Sequence, residues 1–102
     1  MTAQYIMVVD DEPDIRQLVS EILEDEGYRV VTAENAERAR ELHRSRKPDL
    51  ILLDIWMPGQ DGISLLREWR ENGILVCPVI MMSGHGTIET AVEATKLGAY
   101  DF

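Results

Sequence analysis

Four short apolar runs punctuate the chain at Tyr5–Val9, Tyr28–Thr32, Leu50–Leu53 and Val79–Met82, and longer polar stretches separate them. Each run has the length and apolar or β-branched content of a buried strand. The stretches between them repeat apolar residues at helical spacing. In the clearest, Ile15, Leu18, Val19, Ile22 and Leu23 follow the i, i+3, i+4, i+7, i+8 pattern, with Pro13 suited to the first turn and Gly27 to a left-handed cap. This predicts a helix from about Pro13 to Glu26. Weaker stripes predict helices over about Asn35–Arg46, ended by Pro48, over Ile63–Asn72, ended by Gly73, and over Thr87–Leu97, ended by Gly98. The closing AYDF could begin a fifth strand. Strands that alternate with helices in this way imply a parallel sheet covered on both faces.

At 102 residues the chain is expected to form one domain, able to bury roughly 65% of its unfolded surface without a staple. The single cysteine, Cys77, reads as a small buried hydrophobe in a reducing compartment. Nineteen acidic residues against ten basic ones give a net charge of −9, which repels phosphate backbones and argues against nucleic-acid binding by this segment. No signal peptide is legible, and no apolar run approaches the roughly 18 residues of a membrane span. A soluble, cytoplasmic chain is expected.

The first apolar run stops on adjacent aspartates, Asp10 and Asp11, whose like charges oppose each other by about 1–4 kcal/mol at effective dielectrics of 80 to 20. In doubly wound sheets the functional crevice lies outside the carboxyl ends of the strands, where strand order reverses. With strand order 2-1-3-4-5, Asp10 and Asp11 after strand one would meet Asp54 at the end of strand three. Any one of these aspartates could be only a turn former or helix cap. Three at one crevice point to a hard cation, most plausibly Mg²⁺. Ser83, at the end of strand four, would add a hydroxyl to the same crevice. Carboxylates, a cation and a hydroxyl donor suffice for phosphoryl transfer, which depends mainly on positioning and charge neutralisation.

These residues resemble those of the receiver domain of two-component response regulators. The acidic pair Asp10-Asp11, the segment DIWMPGQDG from Asp54 to Gly62, which fits the family's D-x-x-M-P-x-x-D-G, and Ser83 all stand at matching positions. The wording of SGHGTIETAVEATKLGAYDF is similar to receivers of the NtrC and NtrX type, which control transcription with an ATPase domain and an alternative sigma factor. The resemblance implies a flavodoxin-like fold in which Asp54 accepts a phosphoryl group from a sensor histidine kinase and the domain then controls an output domain. It also implies Mg²⁺ bound by Asp11, Asp54 and the main-chain carbonyl of Trp56, with Asp10 acting through a water. Ser83 would bond the phosphoryl group, and Phe102 falls where the family keeps its switch aromatic. The family's lysine, most of strand five and helix five are not found before the last residue, Phe102, so the resemblance covers about the first four fifths of a receiver. An uncovered strand four would invite pairing with another chain, so a homodimer, a strand exchange or low solubility is expected.

Other residues carry less. His85, two residues beyond Ser83, could line the site, but a lone loop histidine more often faces solvent; His43 is expected to face solvent, and neither has metal-ligand spacing. Trp56 could pack over the neighbouring helix or shield an acyl phosphate from water. The Met81-Met82 pair reads as core filling, and Asp61 as a turn or cap residue. A Mg²⁺-dependent aspartyl phosphohydrolase is the rival from the enzyme class, but such enzymes commonly want a carboxylate two residues after the nucleophile, where Trp56 stands. A flavin or nucleotide module of similar fold lacks its glycine-rich loop here, because Asp-Asp-Glu-Pro follows strand one.

Overall fold

In a computed structural model, which describes residues 4–74 and 77–82, the order is β1 (Tyr5–Val9), α1 (Pro13–Asp25), β2 (Arg29–Ala33), α2 (Ala36–Ser45), β3 (Leu50–Asp54), α3 (Gly62–Glu71) and β4 (Val79–Met82). The strands form one parallel sheet in the order β2-β1-β3-β4. That is the expected doubly wound order over the described strands. The expected fourth helix and the start of a fifth strand lie outside the described residues.

Helix ends follow their local chemistry. Gly27 takes φ 92°, the Gly27 amide donates to the Glu24 carbonyl, and the Tyr28 amide donates to the Leu23 carbonyl at 3.1 Å. This paired closure of the last turn draws Tyr28 into the helix cap, which is why β2 starts at Arg29 and not at Tyr28. Gly73, at φ 68°, ends α3 with the same two bonds, to Arg70 and Trp69. Asn35 caps α2 by accepting from the Arg38 amide, and Asp61 caps α3 by accepting from the Ser64 amide at 2.7 Å, the cap role expected of it.

Along β1 the side chains alternate between the two faces of the sheet. Met7 and Val9 join Ile51, Leu53, Val79 and Met81 in one buried cluster with Ala36 and Ala39 of α2 and Leu65, Leu66 and Trp69 of α3. Ile6 and Val8 are also buried but stand outside that cluster. α1 packs against β1 and β2 and adds nothing to the cluster. None of its residues is buried, and Leu18 and Ile22 are each 54% exposed. The apolar stripe of α1 is therefore covered only along its inner edge, at Ile15, Val19 and Leu23.

Two expectations are corrected. His43 does not face solvent: it is 2% exposed, and its ring stacks on Trp69. It lies at the i+7 position of the stripe begun by Ala36 and Ala39, so helical geometry turns it inward despite the charges around it. Cys77 is only partly buried at the edge of the cluster, with its thiol pushed up to about 11 by burial and then by the Asp49 charge. Met81 is buried in the cluster, as expected, and Met82 is half-buried.

Candidate metal centre

The order β2-β1-β3 places the reversal of the sheet between β1 and β3, and the acidic residues stand at their carboxyl ends. Asp54 is the last residue of β3, in register with Met82, and the next amide, of Ile55, donates to the Met82 carbonyl at 3.1 Å. Asp10 follows β1 directly, and its amide donates to the Ala33 carbonyl at 3.0 Å, which extends the pairing of β1 with β2 by one residue. Strand geometry therefore fixes both backbones at the crevice floor.

One carboxylate oxygen from each of Asp10, Asp11 and Asp54 lies within 4.8 Å of the others. Asp10 is 6% exposed, and Asp11 and Asp54 are half-buried. The Asp54 carboxyl is pushed up to about 6, first by burial, then by the Asp10 charge and by the charge and hydrogen bond of Asp11. The Trp56 amide, which donates to Asp54 Oδ1 at 3.3 Å, opposes that rise. The Asp10 carboxyl is also raised, again chiefly by burial, against the Glu12 amide that donates to its Oδ1 at 2.9 Å and the positive charge of Arg16. Two neighbouring carboxyls, Asp10 and Asp54, held above their ordinary range within one acid cluster are a pattern that a bound cation would relieve.

The donor set fits Mg²⁺. This ion takes oxygen ligands at about 2.1 Å in octahedral geometry, which puts ligand oxygens about 3–4 Å apart. Three oxygens already within 4.8 Å of one another need only a small contraction. The fold brings Asp10, Asp11 and Asp54 together as expected, and Trp56 is beside them through its amide. Its side chain is 47% exposed. Ser83, His85 and Phe102 lie outside the described residues.

Reading the sequence did not single out Arg16, whose Nη1 donates to the Asp10 carbonyl at 2.8 Å. The available signal was its place: it is the one basic residue of α1, a single turn from the acidic pair. The loop from Asp54 to α3 is held closely as well. The Gly62 amide donates to the Ile55 carbonyl at 2.8 Å, and a side chain at Gly62 would collide with the Asp54 carbonyl oxygen.

Comparison with known proteins agrees with this geometry. Residues 6–102 match the family model of the response regulator receiver domain. The chain is 54% identical over 102 residues to the nitrogen assimilation regulatory protein NtrX of Azorhizobium caulinodans, covering 98% of this chain and 22% of that protein. It is 38% identical over 103 residues to the phosphate regulon transcriptional regulatory protein PhoB of Pseudomonas aeruginosa, covering 100% of this chain and 45% of that one. The solved receiver domain of NtrX from Brucella abortus superposes with a TM-score of 0.86 at 52% identity, covering 95% of this chain and 82% of that structure. The chain thus spans about a fifth to a half of these curated relatives but most of a solved receiver. With its flavodoxin-like sheet, its acid cluster and a family match that reaches almost end to end, this chain belongs to the response regulator receiver domain family.

Proposed function

We propose that Asp54 is the phosphoacceptor of a two-component signalling domain. The observation that carries this is the convergence of the Asp10, Asp11 and Asp54 carboxylates at the reversal point of the sheet. An Asp54 carboxylate oxygen attacks the phosphorus of a phosphohistidine on a sensor histidine kinase, the phosphorus–nitrogen bond breaks, and an acyl phosphate forms. With its carboxyl at about 6, Asp54 is mostly ionised at neutral pH and available as the nucleophile.

Asp11, Asp54 and the Trp56 carbonyl would hold Mg²⁺, with Asp10 acting through a water. When bound, the ion neutralises charge on the transferring phosphoryl group. Ser83 bonds the phosphoryl group, and Phe102 takes part in the switch. The domain has no substrate beyond its phosphodonor and its own acyl phosphate, which it hydrolyses slowly. It controls an output domain, and the transcriptional regulators to which it is similar support a transcriptional output. Residues 1–102 act as one receiver unit, and a second copy is a candidate self-association partner. The cytoplasm is the expected compartment. Among the described residues no helix is long and apolar enough to cross a membrane, and the charge of −9 disfavours direct contact with nucleic acid.

The test is incubation with acetyl phosphate with and without Mg²⁺, followed by intact-protein mass. Stoichiometric, Mg²⁺-dependent gain of one phosphoryl group that is absent in Asp54→Asn is expected. Equal labelling of Asp54→Asn, or multiple turnover of a generic phosphate ester as a phosphohydrolase would give, would overturn the reading.

A further inference from the structure

We infer that Arg16 is a positioning residue for the acid cluster, clamping the β1–α1 turn so that Asp10 and Asp11 present their carboxylates to Asp54. The inference rests on the cation-binding reading of the cluster given above. Arg16 is the fourth residue of α1 and holds the turn twice: its amide donates to the Glu12 carbonyl at 3.1 Å, and its Nη1 reaches back to the Asp10 carbonyl at 2.8 Å. Arg16 thus anchors the Asp10–Asp11 peptide through its side chain and the Glu12–Pro13 peptide through its amide, and Asp11 lies between the two anchored carbonyls.

Among the described residues the turn has few other restraints. Glu12, at the head of α1, makes no side-chain capping bond, although such positions usually carry a side chain that bonds the first free amides. The Asp10 side chain takes up part of that task by accepting from the Glu12 amide, which commits Asp10 Oδ1 to the turn. With one oxygen of Asp10 so committed, the direction of its other oxygen depends on the setting of the peptide that Arg16 grips. Asp10 is 6% exposed, so that peptide cannot exchange the guanidinium for bulk water without opening the turn.

Charge and position make opposite forecasts. As a positive charge next to the cluster, Arg16 opposes entry of a divalent cation, so its removal should tighten Mg²⁺ binding if charge were all that mattered. As a clamp it preorganises the ligands, and losing partners that orient metal ligands typically weakens binding about 10-fold to 100-fold. Arg38 supplies the control: its loss makes the same change in net charge, and among the described residues its side chain bonds only Glu41, in an exposed pair at 3.1 Å, while its amide donates to the Asn35 cap of α2.

The experiment is a Mg²⁺ titration followed by the fluorescence of Trp56, which lies two residues from Asp54 and is 47% exposed. It compares wild type, Arg16→Met, Arg16→Lys and Arg38→Ala, with thermal melting of each in the absence of Mg²⁺. A wild type without a saturable Mg²⁺ response would refute the cation-site reading itself, and the clamp with it. Given a responsive wild type, the dissociation constant of folded Arg16→Met should rise at least tenfold while Arg38→Ala stays within about twofold, and Arg16→Lys should restore part of the loss. Binding by Arg16→Met that is equal to or tighter than wild type would overturn the clamp, as would a fall in melting temperature without a change in affinity. Should Arg16→Met not fold, Arg16→Lys decides: a loss beyond twofold supports the clamp and wild-type affinity overturns it.

Discussion

The imidazole of His43 stacks on the indole of Trp69, with ring centroids 4.8 Å apart and 24° between the planes, and this contact joins α2 to α3 at the edge of the core. Both rings are buried, and His43 Nε2 has no hydrogen-bond partner among the described residues. Burial, and then the positive charge of Lys47, hold the imidazole below its ordinary range, so the fold carries it neutral.

A pH dependence with a definite sign results. The unfolded chain protonates His43 near pH 6.5 and the folded chain only at lower pH, so this residue's contribution is fully present above about 6.5 and is lost as pH falls toward the folded value, by at most about 1.4 kcal/mol per pH unit. His43→Phe keeps an aromatic ring against Trp69 and removes the orphaned nitrogen. Urea melts at pH 7.5 and pH 5.5 should show wild type losing more stability than His43→Phe on acidification, with the variant at least as stable as wild type at pH 7.5. A pH difference identical in the two proteins would contradict this account.

Asp54 works in the opposite sense. Its carboxyl, raised to about 6 in the fold, contributes stability below its unfolded value near 3.9 and loses it as pH rises through 6. Without divalent cations, Asp54→Asn should therefore be more stable than wild type at pH 7.5, by about 1–2 kcal/mol once the partial exposure of the carboxyl is allowed for. The gain should vanish near pH 4. Added Mg²⁺ should stabilise wild type and leave Asp54→Asn nearly unchanged in thermal melting.

Gly62 is irreplaceable for steric reasons alone, since its φ is ordinary. A Cβ there would strike the Asp54 carbonyl oxygen and lie 3.0 Å from Ile55 Cα, both rigid backbone. Gly62→Ala should cost about 1–3 kcal/mol in chemical denaturation or more, and it should lower phosphoryl labelling of the protein that remains folded, because the collision displaces Asp54 itself. Stability and labelling equal to wild type would show that β3 and α3 can separate without consequence.

The ion pair between Arg40 and Glu68 links α2 to α3 near the loop from Asp54 to α3. Arg40 grips both Glu68 oxygens, at 2.7 and 3.2 Å, and Gln60 donates to the same carboxylate at 3.3 Å. Each member is partly exposed, and Glu68→Gln should cost no more than about 1 kcal/mol, with the loss shrinking further in molar salt. A larger, salt-independent loss in urea melts would mean that the network is buried more deeply than its exposure indicates.

Much of this protein was legible in its sequence because the information is local. Short apolar runs, period-3.6 patterns, Pro13 at a helix start, and Gly27 and Gly73 at helix ends set the order of elements within a residue or two, since each is written in a short stretch of chain. The parallel sheet follows from alternation, and a parallel sheet puts whatever ends β1 and β3 into one crevice, so the meeting of Asp10, Asp11 and Asp54 was foreseeable. What tertiary structure alone decided involves partners distant in the chain, or the choice between the two sides of one element. His43 stands among charged neighbours, and only the arrival of Trp69 from α3 makes its inward position a stacked, buried one. The reach of Arg16 back to Asp10 needs the helix to turn over the strand end, and the grip of Arg40 on Glu68 needs two helices side by side. The apolar stripe of α1 promised a buried face, yet packing leaves Leu18 and Ile22 open, because periodicity states which residues share a face and not how much of that face another element covers.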